Sequence, residues 1–196
     1  PYIGTKEGHF TRTSNRHDYA LAPFSKTALD SLKDAGLDVI GVGKIPDIFV
    51  DQGITRKIKT VSNEDGMNKT IELASDNFNG LTFINLVDFD AVYGHRRNAA
   101  GYGKAIEEFD VQLGKLINEL KNDDLLMVTA DHGNDPTYRG TDHTREQVPL
   151  IIYSKQFNEM KVLNDGDSFG IIGSTICDNF NVKYNGIGSS ILELLK

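Results

Sequence analysis

Between Thr129 and Pro149 the chain reads TADHGNDPTYRGTDHTREQVP, which sets two Asp-His dipeptides, Asp131-His132 and Asp142-His143, into one short stretch. Each dipeptide offers a carboxylate oxygen and an imidazole nitrogen, and Gly133, Pro136 and Gly140 mark the stretch as a loop rather than core. A second group stands upstream, where the apolar run Leu81 to Val87 leads into Asp88, Asp90 and His95. Asp90, His95, Asp131, His132 and His143 together supply three imidazoles and two carboxylates. That donor set suits manganese or zinc better than calcium or magnesium, which favour all-oxygen shells. Two such ions about 4 Å apart would clamp a transferring phosphoryl group. Taken singly, each motif has a plainer reading: Asp-His-Gly as a turn, Asp88 as a cap, His95-Arg96-Arg97 as a surface polar cluster. The joint pattern is harder to dismiss, because all five residues follow strands whose ends face one side.

Those strands come from the periodicity. Asp124 to Ala130 and Val148 to Tyr153 flank the loop as short apolar runs and read as buried strands, as do Asp38 to Gly43 and Leu81 to Val87. Ile54 to Thr60 alternates like an edge strand. Helices are expected from Lys26 to Ala35 behind a Ser25 cap, and from Ser62 or Asn63 to about Ser75. Others run from near Gly103 to Leu120, from Ser168 to Phe180 and from Ile187 to Leu195, with a helical turn over Pro46 to Gln52. Strands alternating with helices predict an α/β fold: a mostly parallel sheet sandwiched by helices. In such sheets ligands bind beyond the carboxyl ends of the strands, where Asp90 and Asp131 would stand. Lys44 closes the first strand at that same edge, placed to meet an anion.

Composition narrows the function classes. The chain has 196 residues, 39% hydrophobic and 25% charged, enough for one substantial core. A net charge of −7 argues against nucleic acid as a partner, and no apolar run approaches the ~20 residues of a membrane span. One cysteine, Cys177, forms no internal disulfide and fits a reduced, cytoplasmic setting. The opening residues, Pro1-Tyr2-Ile3-Gly4, lead into an irregular stretch carrying His9, Arg12, Arg16 and His17, and read as an internal point of a longer protein.

The motifs resemble those of the bacterial phosphopentomutases, in the alkaline phosphatase superfamily. The resemblance rests on Asn85 to Asp90 continuing to Tyr93-Gly94-His95-Arg96-Arg97, on Thr129 to Pro136, and on Gly140 to Glu146. Phe10 to Thr13 with Asn15-Arg16, and Gly43-Lys44-Ile45 with Asp47-Ile48, extend it over the whole chain. It implies an alkaline phosphatase-like core and a dimetal enzyme interconverting ribose 1-phosphate, or its deoxyribose counterpart, with the 5-phosphate. The two ions are expected to be manganese, with zinc, cobalt or magnesium as alternatives. One ion is implied for Asp90, His95 and His143, and the other for Asp131 and His132 with ligands outside this sequence. The phosphorylated threonine of the family is likewise not found here. Residues 1–21 then form the tail of an inserted cap domain or a linker, and residues 22–196 the C-terminal part of the core.

Arg12 and Lys44 match basic positions that approach the sugar phosphate. Arg96 and Arg97 fit either a substrate contact or a structural role, and Asp142 is expected to orient a ligating imidazole. The alternatives are a phosphomonoesterase, a cofactor-independent phosphoglycerate mutase of the same superfamily, or a metal-binding fragment without turnover. The partner otherwise expected is the N-terminal segment of the same protein.

Overall fold

A computed structural model describes residues 2–12 and 19–195. Its centre is β3 (Asp38–Val42), whose side chains alternate between two apolar layers because successive strand residues point to opposite faces. Val39 joins Leu29, Leu32, Ile45, Ile54 and Cys177 on one side. Ile40 and Val42 join Leu73 on the other. The first layer is supplied by α1 (Ala28–Asp34), α2 (Ile45–Ile48) and α5 (Gly170–Asn179), and the second by α3 (Asn63–Ser75). A strand covered on both faces must be apolar where it is covered, and Val39 to Val42 are, with only Asp38 exposed at the start.

On either side of β3 lie β4 (Arg56–Ile58) and β5 (Gly80–Ile84), both parallel to it. Parallel order follows from the crossovers, since β5 is reached through α3. β6 (Leu126–Thr129) and β7 (Leu150–Tyr153) form a separate antiparallel pair, Leu126 opposite Tyr153 and Thr129 opposite Leu150. Here the connection is loop rather than crossover helix, so the chain returns antiparallel. A third ribbon, β1 (Tyr2–Ile3) with β2 (Thr11–Arg12), is antiparallel too. The α/β reading holds, with helices on both faces of the parallel strands.

Several local expectations shift. Thr27, not Ser25, caps α1, in a capping box where its hydroxyl accepts from the Asp30 N–H and the Asp30 carboxylate accepts from the Thr27 N–H. α4 (Ala99–Glu119) starts four residues before Gly103, at an Asn98 cap whose Oδ1 accepts from the Gly101 N–H at 3.0 Å. Two glycines among its first five residues hide that start from a periodicity argument. The last helix is a 3₁₀ turn, Leu192–Leu195. Between β5 and α4 lies a π-helix, Phe89–Gly94, at a place where periodicity predicts no element beyond a turn after Asp88.

The apolar strands β5 and β6 are only half-buried, contrary to the expected burial. Among the described residues β5 pairs only with β3 and β6 only with β7, so each keeps one edge without a strand neighbour. No helix of the described residues is long and apolar enough to cross a membrane.

Candidate metal centre

Asp90 and His95 stand five residues apart. In an α-helix, at about 100° per residue, they would point roughly 140° apart. The π-helix removes that divergence, because its repeat is i to i+5, and the His95 N–H donates to the Asp90 carbonyl at 3.0 Å. Both side chains therefore leave one face. Gly94, buried beneath them, leaves no room for a side chain: a Cβ there would lie 2.6 Å from Asn134 Nδ2. His143 arrives from the loop between β6 and β7.

Asp90, His95 and His143 each offer a ligand atom, and these atoms lie within 4.8 Å of one another. Asp90 Oδ2 is 3.3 Å from His95 Nε2, and Asp90 Oδ1 is 3.2 Å from His143 Nε2. The two Nε2 atoms are 3.1 Å apart. Ligands about 2.1 Å from a common cation sit roughly 3.0 Å apart at octahedral and 3.4 Å apart at tetrahedral angles. The observed separations fall in that interval, so these residues fit one transition-metal ion.

The tautomer suits this use. His95 Nδ1 lies 2.5 Å from the Thr141 carbonyl, which only accepts, so Nδ1 carries the proton and a neutral His95 keeps its Nε2 lone pair toward Asp90 and His143. His132 is arranged alike, with Nδ1 3.1 Å from the Gly133 carbonyl. Its ring stacks on His143 at a centroid distance of 3.8 Å and 23°. Asp131 sits 3.6 Å from His132 Nε2 and its side chain is 74% exposed, so that pair adjoins the triad but lies open to solvent.

Around the triad, Asn134 is buried, and its Nδ2 donates to Asp90 Oδ1 at 2.7 Å. The Thr144 hydroxyl accepts from the Asp135 N–H and donates to Glu146, and Gly133 bridges to Thr144. Burial first, then the Asp90 and Glu146 carboxylates, push the Tyr102 phenol up from its ordinary value, keeping it protonated at neutral pH. Hydrogen bonds from the Thr137 hydroxyl and N–H hold Asp135 below the usual carboxylate range.

Of the other residues singled out, Lys44 follows β3 and caps α2, at the sheet edge from which β5 leads to Asp90. Arg12 stands in β2 opposite Tyr2, and its side chain lies outside the described residues, as do Thr13, Asn15, Arg16 and His17. Asp142 does not orient an imidazole with its carboxylate. The Thr141 carbonyl orients His95, and Asp142 contributes its own carbonyl to Arg97 Nη2 at 2.6 Å. Asn134 was given no role by the sequence, although it stands two residues beyond His132 in the same loop. Among the described residues Arg97 forms no ion pair and instead donates to loop carbonyls, whereas Arg96 is exposed.

The sequence profile described as the metalloenzyme superfamily matches residues 3–184. The chain is 58% identical over its whole length to a phosphopentomutase of Clostridium botulinum, and 58% identical to one of Agathobacter rectalis. It covers 50% of each, so it spans about half the length of the curated relatives it matches. Among solved structures, a phosphoglycerate mutase of Leishmania mexicana, crystallised at low cobalt concentration, superposes with a TM-score of 0.63. That likeness, at 17% identity over 86% of this chain and 39% of that one, concerns the fold.

Proposed function

Because the chain belongs to the metalloenzyme superfamily, we propose that it forms the metal-binding part of a phosphopentomutase, acting on ribose or deoxyribose phosphates. The observation that carries the reading is the convergence of Asp90, His95 and His143 from separate segments at ligand-to-ligand spacing, in a chain 58% identical to phosphopentomutases. Asp90, His95 and His143 would hold one divalent ion. Asp131 and His132 would contribute to a second, completed by ligands from outside this sequence. Manganese fits the mixed nitrogen and oxygen donors, as would zinc or cobalt. Bound there, such ions supply Lewis acidity that offsets the charge on a transferring phosphoryl group.

The remaining work falls to the protein. The Thr141 carbonyl fixes the His95 ring and keeps its Nε2 free of a proton. Asn134 holds the Asp90 carboxylate by donating to Oδ1. Lys44, at the same sheet edge, is assigned to the sugar phosphate, with Arg12 approaching from the 1–21 segment, read as the tail of a cap. The phosphoryl-carrying threonine would come from outside this sequence, so the present chain alone is assigned metal binding and no turnover. A cytoplasmic site of action accords with the chemistry.

The test is an assay of the complete protein with manganese. Conversion of ribose 1-phosphate to ribose 5-phosphate is expected, with little hydrolysis of p-nitrophenyl phosphate. Hydrolysis without isomerisation would replace this reading with a phosphomonoesterase, and isomerisation of phosphoglycerate with a mutase of that specificity.

A further inference from the structure

Two segments carry the triad, the π-helix with Asp90 and His95 and the loop with His143, and the turn after β6 supports it through Asn134. One side chain touches all three. Arg97 donates from Nη1 to the Gly94 carbonyl at 3.1 Å, ending its own π-helix. The same Nη1 donates to Asn134 Oδ1 at 2.7 Å and to the Asp135 carbonyl at 2.8 Å. Nε donates to the Gly140 carbonyl at 2.5 Å, and Nη2 to the Asp142 carbonyl at 2.6 Å. Arg97 takes a left-handed backbone conformation, φ 51°, uncommon for a side chain of this size.

We infer that Arg97 is a positioning residue that assembles the candidate metal centre, acting through hydrogen-bond geometry rather than charge. Two relays lead from it. Through Gly140 and Asp142 it grips both sides of Thr141, whose carbonyl sets the His95 ring, and the residue directly before His143. Through Asn134 it fixes the amide so that Oδ1 faces the guanidinium and Nδ2 faces Asp90. Among the described residues Arg97 forms no ion pair, and the Asp135 carboxylate feels its charge only as the last of the influences on it. Its acceptors are four carbonyls and one amide oxygen. A rigid fork with five N–H donors can meet acceptors approaching from several directions, whereas an ammonium group is a single point with three donors. Charge alone would also do harm here, since a guanidinium repels the cation that the triad suits. The His143 loop has no helix or strand of its own; it is tied to the turn after β6 by the Gly133–Thr144 bridge, and this clamp joins both to the π-helix.

The inference rests on the metal-centre reading, so its test separates the two. R97A, R97K and, as a control, R96A are made in this chain. Manganese affinity is measured by calorimetric titration, and hydrogen exchange of residues 140–144 is followed without metal. Both Arg97 variants are expected to lose about 10- to 100-fold in affinity, the range typical when the partners of ligands are removed. They should also lose exchange protection at the Thr144 amide, which donates to the Gly133 carbonyl at 3.1 Å. Amides of β3 and α1 should keep theirs, and R96A should match the unsubstituted chain. Recovery of affinity and protection in R97K would overturn the inference, because charge would then suffice. Unchanged protection in both variants would overturn it as well. Absence of manganese binding by the unsubstituted chain, together with loosened loops in the variants, would defeat the metal reading and leave the clamp standing. Should R97A fail to fold, N134A tests one relay: reduced affinity with intact loop protection supports the inference, and unchanged affinity opposes it.

Discussion

His143 and His95 face each other through Nε2 atoms 3.1 Å apart, while His95 spends its only neutral-state proton on the Thr141 carbonyl. In the metal-free chain the Nε2 proton of a neutral His143 is thus shared with His95 and with Asp90 Oδ1, 3.2 Å away. A cation bound there requires the His143 proton to move to Nδ1, and since only neutral imidazole ligates, metal uptake is expected to weaken as pH falls and to release protons from whatever fraction of the rings is protonated. Calorimetry in buffers of different ionisation enthalpy reads the release directly. His143→Ala should abolish the tighter binding event, since three protein ligands fall to two. Asp131→Ala should leave that event intact, because its carboxylate is open to solvent and is not among the ligand atoms that converge in the triad. Equal losses in the two variants would mean a single shared ion rather than two sites.

At the scale of elements, the helix behind the sheet is tied by its first turn. Burial opposes the charge on Asp30, but the Thr27 N–H, Gln52 and the Thr27 hydroxyl outweigh it and hold the carboxyl below its ordinary value. A carboxyl lowered by folding stabilises the protein above the unfolded-state pKa, and that stability is lost as pH falls through the folded value. Asp30→Asn should therefore destabilise at neutral pH, with the deficit relative to the unsubstituted chain closing once pH drops below about 4. Thr27→Ala should cost about 1 kcal/mol, the usual value of a helix cap. Urea titrations at neutral and acid pH measure both. The π-helix is the second element whose geometry matters: its five-residue repeat, and no α-helical phase, brings Asp90 and His95 together.

Across the molecule, the triad joins two β systems that share no strand pairing among the described residues: the parallel set ending in β5 and the antiparallel pair of β6 and β7. Metal binding should consequently act as a tie on the entire fold. At a manganese concentration ~100 times its dissociation constant, the stabilisation expected from mass action is about 2.7 kcal/mol. Thermal melts should show an upward shift with manganese, its reversal by EDTA, and no shift in His143→Ala. A shift that persists in His143→Ala would place the stabilising ion elsewhere.

The strand and helix order was legible because periodicity is a local property: β3 is apolar in four successive residues and α3 is bounded by Ser62 and Ser75 much as its pattern indicates. The residues of the candidate metal centre were legible as a set of donors, since Asp and His gathered beyond strand ends suit coordination, and the structure brings Asp90, His95 and His143 within 4.8 Å of one another. What stayed hidden depends on contacts between distant segments. A π-helix differs from loop only through i to i+5 bonds, and β7 runs antiparallel because of how its connecting loop folds. Asn134 and Arg97 act through hydrogen bonds to residues that lie about 40 positions away in the chain, a distance over which composition and spacing carry no direction. The sequence by itself determined which atoms were available for chemistry and roughly which elements would carry them. Tertiary structure alone decided which atoms meet, because a ligand set is defined by angles and separations of a few ångströms that long-range packing sets.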